Sequence, residues 1–157
     1  MDNKYELTGN TKKVWGHTLH QIKALKSFGD VRKGDLGGWI EDYHNLSQRG
    51  TAWVYNNAMV LKNACVEDDA KVFDNANVLD NANVFDKAKI FENAKVYDNA
   101  KVFNNARVYG NANVYNYASV FGNAHVYGGA HIYGDVHVYG YAKVDGDFFI
   151  DGNDSVL

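Results

Sequence analysis

Residues 72–83 read VFDNANVLDNAN, two copies of one six-residue unit. The unit extends in both directions. Val or Ile recurs at every sixth position from Val54 to Val156, eighteen times without a break. Four places after each stands a small residue, alanine from Ala58 to Ala130 and again at Ala142, with Val136, Phe148 and Asp154 as exceptions. An even period fits the alternation of a strand and not the 3.6-residue turn of a helix. The alanine and the next valine are two apart, so they share one side of a strand. The Asp/Gly–Asn pair between them is turn chemistry, because Asn and Gly tolerate the left-handed backbone of a tight corner. Strand and corner in strict alternation, with β-branched residues inward, wind into a parallel β-helix. Antiparallel hairpins would need larger turns and would not keep this register through eighteen units.

The rest of the composition narrows the function classes. The chain has 157 residues, 46% hydrophobic and 14% aromatic, with net charge −3 and no proline. That suits one compact domain and excludes a disordered or collagen-like chain. A single cysteine, Cys65, excludes an internal disulfide and a multi-cysteine zinc site. No apolar run approaches the roughly 20 residues that span a bilayer. The start, MDNKYELTGN, lacks a basic and then apolar leader, so a cytoplasmic protein with no membrane partner is expected. The acidic balance does not favour wholesale nucleic-acid binding.

Residues 1–46 carry no hexad and are expected to form an N-terminal β cap on a solenoid of residues 47–157. YELTGNTKKVW suggests two short strands about Gly9–Asn10, HTLHQIKAL a third, and GDLGGW (34–39) a glycine-rich bend. Trp39 and Trp53 are expected to cover the apolar end of the first coil, since a bare solenoid end invites edge-to-edge aggregation. At the far end Phe148, Phe149 and Ile150 are expected to plug the last coil or to meet a second molecule.

The repeat resembles the hexapeptide-repeat, left-handed β-helix superfamily, in which three hexads make a triangular coil of about 18 residues. The left hand and a count of about six coils are what that resemblance implies. The order GDLGGW, NLSQRG, AWVYNNA also resembles bacterial and bacteriophage hexapeptide-repeat proteins labelled putative transferases.

Residues eighteen apart stack in columns on three faces, A from Val54, B from Val60 and C from Val66. The position after each valine points outward. It gives Phe73, Phe91 and Tyr109 on face A, and Phe85, Phe103, Phe121 and Tyr139 on face C. Such residues stabilise the ladder by stacking and also offer an interface. Face C has mostly small or neutral neighbours and is the expected surface for self-association, as a dimer or trimer, or for an unidentified protein partner. Face A sets Lys71, Lys89 and Arg107 beside its aromatics and would suit an anionic partner or, less well, a single-stranded nucleic acid.

The resemblance brings acyltransferases into view, in which a histidine is the general base and an extruded loop helps to hold an acyl-CoA donor. Here no residue is inserted between Val54 and Val156, so no loop leaves the coil. His125, His131 and His137 fall on three different faces and cannot share one metal within a chain. Trimer-interface zinc, as in gamma-type carbonic anhydrases, needs a histidine spacing that is absent. No catalytic residue, metal or cofactor is therefore assigned. The expectation is a non-enzymatic β-solenoid that acts by protein–protein binding. Its phage-like resemblance suggests an inhibitor docking on a host defence complex, as anti-CRISPR proteins do. The alternative is a hexapeptide-type acyltransferase using an acyl-CoA donor.

Overall fold

A computed structural model describes residues 2–153 and 155–157. Three longer strands, β1 (Tyr5–Val14), β2 (His17–Ala24) and β3 (Leu36–Ile40), precede eighteen two-residue strands running from β4 (Trp53–Val54) to β21 (Ser155–Val156). The short strands form three parallel sheets, and each pairs with the strand eighteen residues on, as Ile90 does with Val72 and Val108. The result is an all-β parallel solenoid of about six turns. Every inward Ala and Val/Ile from Ala58 to Val138 is at 0% exposure. Only methyl-sized and β-branched side chains fill so narrow a tube to native density.

Each corner turns on the second residue after the inward valine, which takes positive φ at Asp74 (58°), Asp80 (59°) and even Glu92 (56°). The left-handed residue is thus the Asp or Gly of the unit, not the Asn after it. Corner side chains offset that strain by bonding the next coil. Asp74 accepts from Glu92 N (3.1 Å), and Glu92 accepts from Gly110 N (2.8 Å).

The solenoid begins before the repeat is visible. Ile40 pairs with Val60 and Leu46 with Val66, two residues out of the later register, whereas Val54 pairs with Val72. Strand β3 is therefore the first rung of face B, and the antiparallel β1–β2 hairpin extends that face into a nine-stranded sheet. GDLGGW is not a bend but largely strand. Its glycines are needed because a Cβ on Gly38 would lie 2.7 Å from both Ala58 O and Val54 Cγ1. The pair Gly9–Asn10 is also not a turn. It sits at an irregularity inside β1, between Leu7 and Thr11, and the hairpin turns at Trp15–Gly16.

The two ends differ from the sequence expectation. Trp39 lies outside face B under Lys12 Nζ (4.5 Å from its ring), and Trp53 lies outside face A, packed edge-on by Tyr5 and Phe28. Trp39 stays outside the core, whereas Trp53 is buried in the cluster at this end together with Tyr5, Ile22, Ala24 and Val31 from the cap. Phe148 is 65% exposed and Phe149 66%, so they do not plug the last coil. A phenylalanine at the alanine position is too large for the narrow interior that the alanines of the earlier coils fill. Phe149 instead stacks on His131 (4.6 Å) on face B, and Ile150 is half-buried. Asp154 lies outside the described residues. Among the described residues no helix is long and apolar enough to cross a membrane.

Candidate functional site

The parallel register sets the outward columns at the strand spacing, and their rings stack at that spacing. On face A, Phe73, Phe91, Tyr109 and Tyr127 follow one another at 4.9, 4.7 and 5.0 Å, within 5° of parallel. On face C, Phe85, Phe103, Phe121 and Tyr139 do so at 4.8, 4.9 and 5.3 Å. Face B carries a shorter ladder of Tyr97, Tyr115 and Tyr133. The flat faces of these rings are spent on one another. What each column offers a partner is a row of ring edges, the electropositive part of an aromatic. Within the face A column, stacking leaves a flat ring face open only at the ends of the ladder.

The basic column beside the face A ladder is only partly free. Lys71 Nζ meets Asp30 (2.9 Å), which also accepts from Tyr55 Oη (2.7 Å), so the cap pins the top of the column. Those two donors hold the Asp30 carboxyl below the ordinary aspartate range. Lys89, Arg107 and Lys143 form no ion pair among the described residues. The acids at the adjoining corners, Asp74 and Glu92, are engaged by backbone N–H groups.

Face C is different in kind. The phenylalanine ladder is half-buried and flanked by Asn83 and Ser119, with Lys101 exposed in the same flanking column and Lys87 exposed at the corner after Phe85. Cys65 starts this column. Burial and a hydrogen bond to Glu67 (3.0 Å) push its thiol up to about 12, so it stays protonated and is not a nucleophile at neutral pH.

The three histidines lie on three sheets, each edge-on to a ladder ring: His125 to Tyr109, His131 to Tyr115, His137 to Phe121. Burial first, then Arg107 and Lys143, lower the His125 pKa, which keeps its ring neutral near pH 7. Its Nδ1 is 3.3 Å from Tyr109 Oη.

No known family model matches the chain. A stretch of 52 residues is 40% identical to "Uncharacterized acetyltransferase YdcK" of Escherichia coli (strain K12), covering 33% of this chain and 15% of that protein. The chain is similar to hexapeptide-repeat, transferase-like proteins. This match corrects the expectation of a chain outside the enzymes. The absence of an extruded loop was its main argument, yet the chain shares a third of its length with a protein that bears an acetyltransferase's name.

The sequence pointed to the columns, and the structure aligns them as ladders. It did not point to Lys4, Asp30, Asn45 or Trp15. Only the last leaves a trace, as a Trp-Gly pair between alternating runs.

Proposed function

We propose that the protein is a rigid assembly scaffold that binds other proteins through its laddered faces, with face C joining it to a second copy. The observation that carries this is the four-ring column Phe85, Phe103, Phe121 and Tyr139, held in register by stacking and bordered mainly by neutral residues. Apolar centres depleted of charge are the mark of interfaces. Face A, with Lys89 and Arg107 unpaired beside ring edges, suits an acidic protein surface. Light scattering tests the assembly. The wild type is expected as a dimer or trimer, and the triple variant Phe85→Glu/Phe103→Glu/Phe121→Glu as a folded monomer. A monomeric wild type overturns face C as a self-association surface. Docking on a host defence complex would be one use of such a scaffold. It rests on the resemblance to phage proteins.

The acetyltransferase match favours a second reading on the same solenoid, transfer of an acetyl group from acetyl-CoA to a hydroxyl or amine. His125, kept neutral by its surroundings, is in the form that accepts the acceptor's proton. The thioester bond breaks as the new ester or amide forms, and the imidazolium returns the proton to the departing thiolate. Calorimetry with acetyl-CoA, and release of free thiol in the presence of amine and sugar acceptors, tests this. Absence of acetyl-CoA binding, or activity unchanged in His125→Ala, overturns the respective part.

A further inference from the structure

The β1–β2 hairpin turns through two residues of positive φ, Trp15 (50°) and Gly16 (81°). Such turns favour Asn-Gly. Here the first place holds a tryptophan that is 62% exposed. A bulky side chain held in strained backbone, and adding little to the core, is a feature that clusters at binding sites.

The hairpin tip overhangs face B. Trp15 stands across an open groove of about 360 Å³ from Leu61, Leu79 and Tyr97, with Lys95 further along the floor. Two of the other ionisable side chains at the groove are paired. Lys62 pairs with Asp80 (2.6 Å), and His17 with Glu41 (2.7 Å). The neighbouring Asp98 accepts from Asn116 N (3.0 Å) and Nδ2 (2.9 Å). Lys95 has no ion pair among the described residues.

We propose that this groove binds a small ring carrying one carboxylate or phosphate. The ring lies against the Trp15 indole, and the acid group meets the Lys95 ammonium. Hexuronic acids and nucleoside monophosphates share this chemistry. The site is separate from the face C column and does not depend on the reading above.

Calorimetric titrations with glucuronate and with AMP distinguish the two sources. At least one is expected to bind with Kd near or below about 1 mM. Trp15→Asn suits the turn better than tryptophan and so keeps the fold, which circular dichroism verifies. It is expected to weaken binding about tenfold or more, as is Lys95→Gln, which also removes most of the salt dependence. Binding of glucuronate alone assigns a sugar acid, and binding of AMP alone a nucleotide. If neither binds at about 10 mM, or if either variant binds as the wild type does, the proposal falls.

Discussion

Lys4 is 1% exposed, and its Nζ donates to Ala52 O (2.8 Å). Tyr5 Oη donates to Leu46 O (2.7 Å), and Asn45 Nδ2 to Ala64 O (2.8 Å). In later coils such carbonyls accept from the backbone of the preceding coil, as Ala70 O does from Trp53 N. In the first coil and where it meets the next, the backbone rungs are incomplete and buried side chains supply donors in their place, because an unpaired buried carbonyl costs about 1–3 kcal/mol. For Lys4 this role is costly to charge. Burial, and then Lys26, lower its pKa to about 8 from 10.5. Between those values the unfolded chain holds a proton that the folded one has shed, so stability rises with pH there and the gain is absent below about pH 8. Lys4→Gln keeps a donor and removes the titration. From pH 7.5 to 10 the wild type is expected to gain about 1–2 kcal/mol relative to this variant in urea unfolding, the figure being discounted for screening by nearby solvent. Trp15 gives the opposite kind of prediction. Left-handed backbone costs a residue other than glycine about 1–2 kcal/mol, and asparagine tolerates it best. Trp15→Asn is therefore expected to raise stability by about 1 kcal/mol in the same assay, and an unchanged or lower midpoint would show that the indole is held by packing instead.

At the scale of single elements, β3 shows why a motif can be legible while its meaning is not. GDLGGW stands out in the sequence, and its Gly37–Gly38 pair suggests a bend. They are needed for close approach: a Cβ on Gly37 would lie 2.6 Å from Val54 O, and one on Gly38 2.7 Å from Ala58 O. Backbone cannot yield as a flexible side chain can. Gly38→Ala is expected to cost about 3 kcal/mol or more, or to detach β3 and expose Trp53, which a red-shifted tryptophan emission would report. The hexads, by contrast, were legible in register, inward set and outward columns. There one local rule repeats, and the pairing partner is always eighteen residues away. The cap was not, because its contacts are long-range and occur once. Nothing in the sequence links Asp30 to Tyr55 and Lys71, or Lys4 to Ala52. The misplaced turn at Gly9–Asn10 has the same origin. A glycine-asparagine pair signals a turn locally, and only the pairing of Val14 with His17 moves the turn to Trp15–Gly16. The candidate surfaces divide likewise, since the ladders follow from period six and the hairpin groove follows from a fold-back that no period encodes.

For the whole molecule, the stability of a solenoid is approximately a sum of coil terms and nearest-neighbour interfaces. The described ends are unequal. The first coil is sealed by the cap, and its Ile40 and Leu46 are at 0% exposure. Among the described residues the last coil has no such cover. Ala142 and Val144 rise to 4% and 5%, Ile150 and Val156 are half-buried, and Leu157 is 79% exposed. The aromatic ladders stop at the same level, where Asp145 and Asp151 replace the rings and turn their carboxylates onto Gly146 N and Gly152 N. An edge that lacks both a covering coil and a ladder neighbour should open most readily. In hydrogen exchange of this 157-residue chain, the amides of Val60, Val78 and Val96 are expected to exchange only through global unfolding. Protection should fall by about two orders of magnitude or more by Ile150, roughly 3 kcal/mol less in opening free energy. The alternative outcome is equally specific. If Ile150 and Val156 are as protected as Val96, something covers the terminal coil in solution. Repeating the exchange at a tenfold lower protein concentration then decides whether the cover is a second copy, because only protection conferred by self-association is lost on dilution.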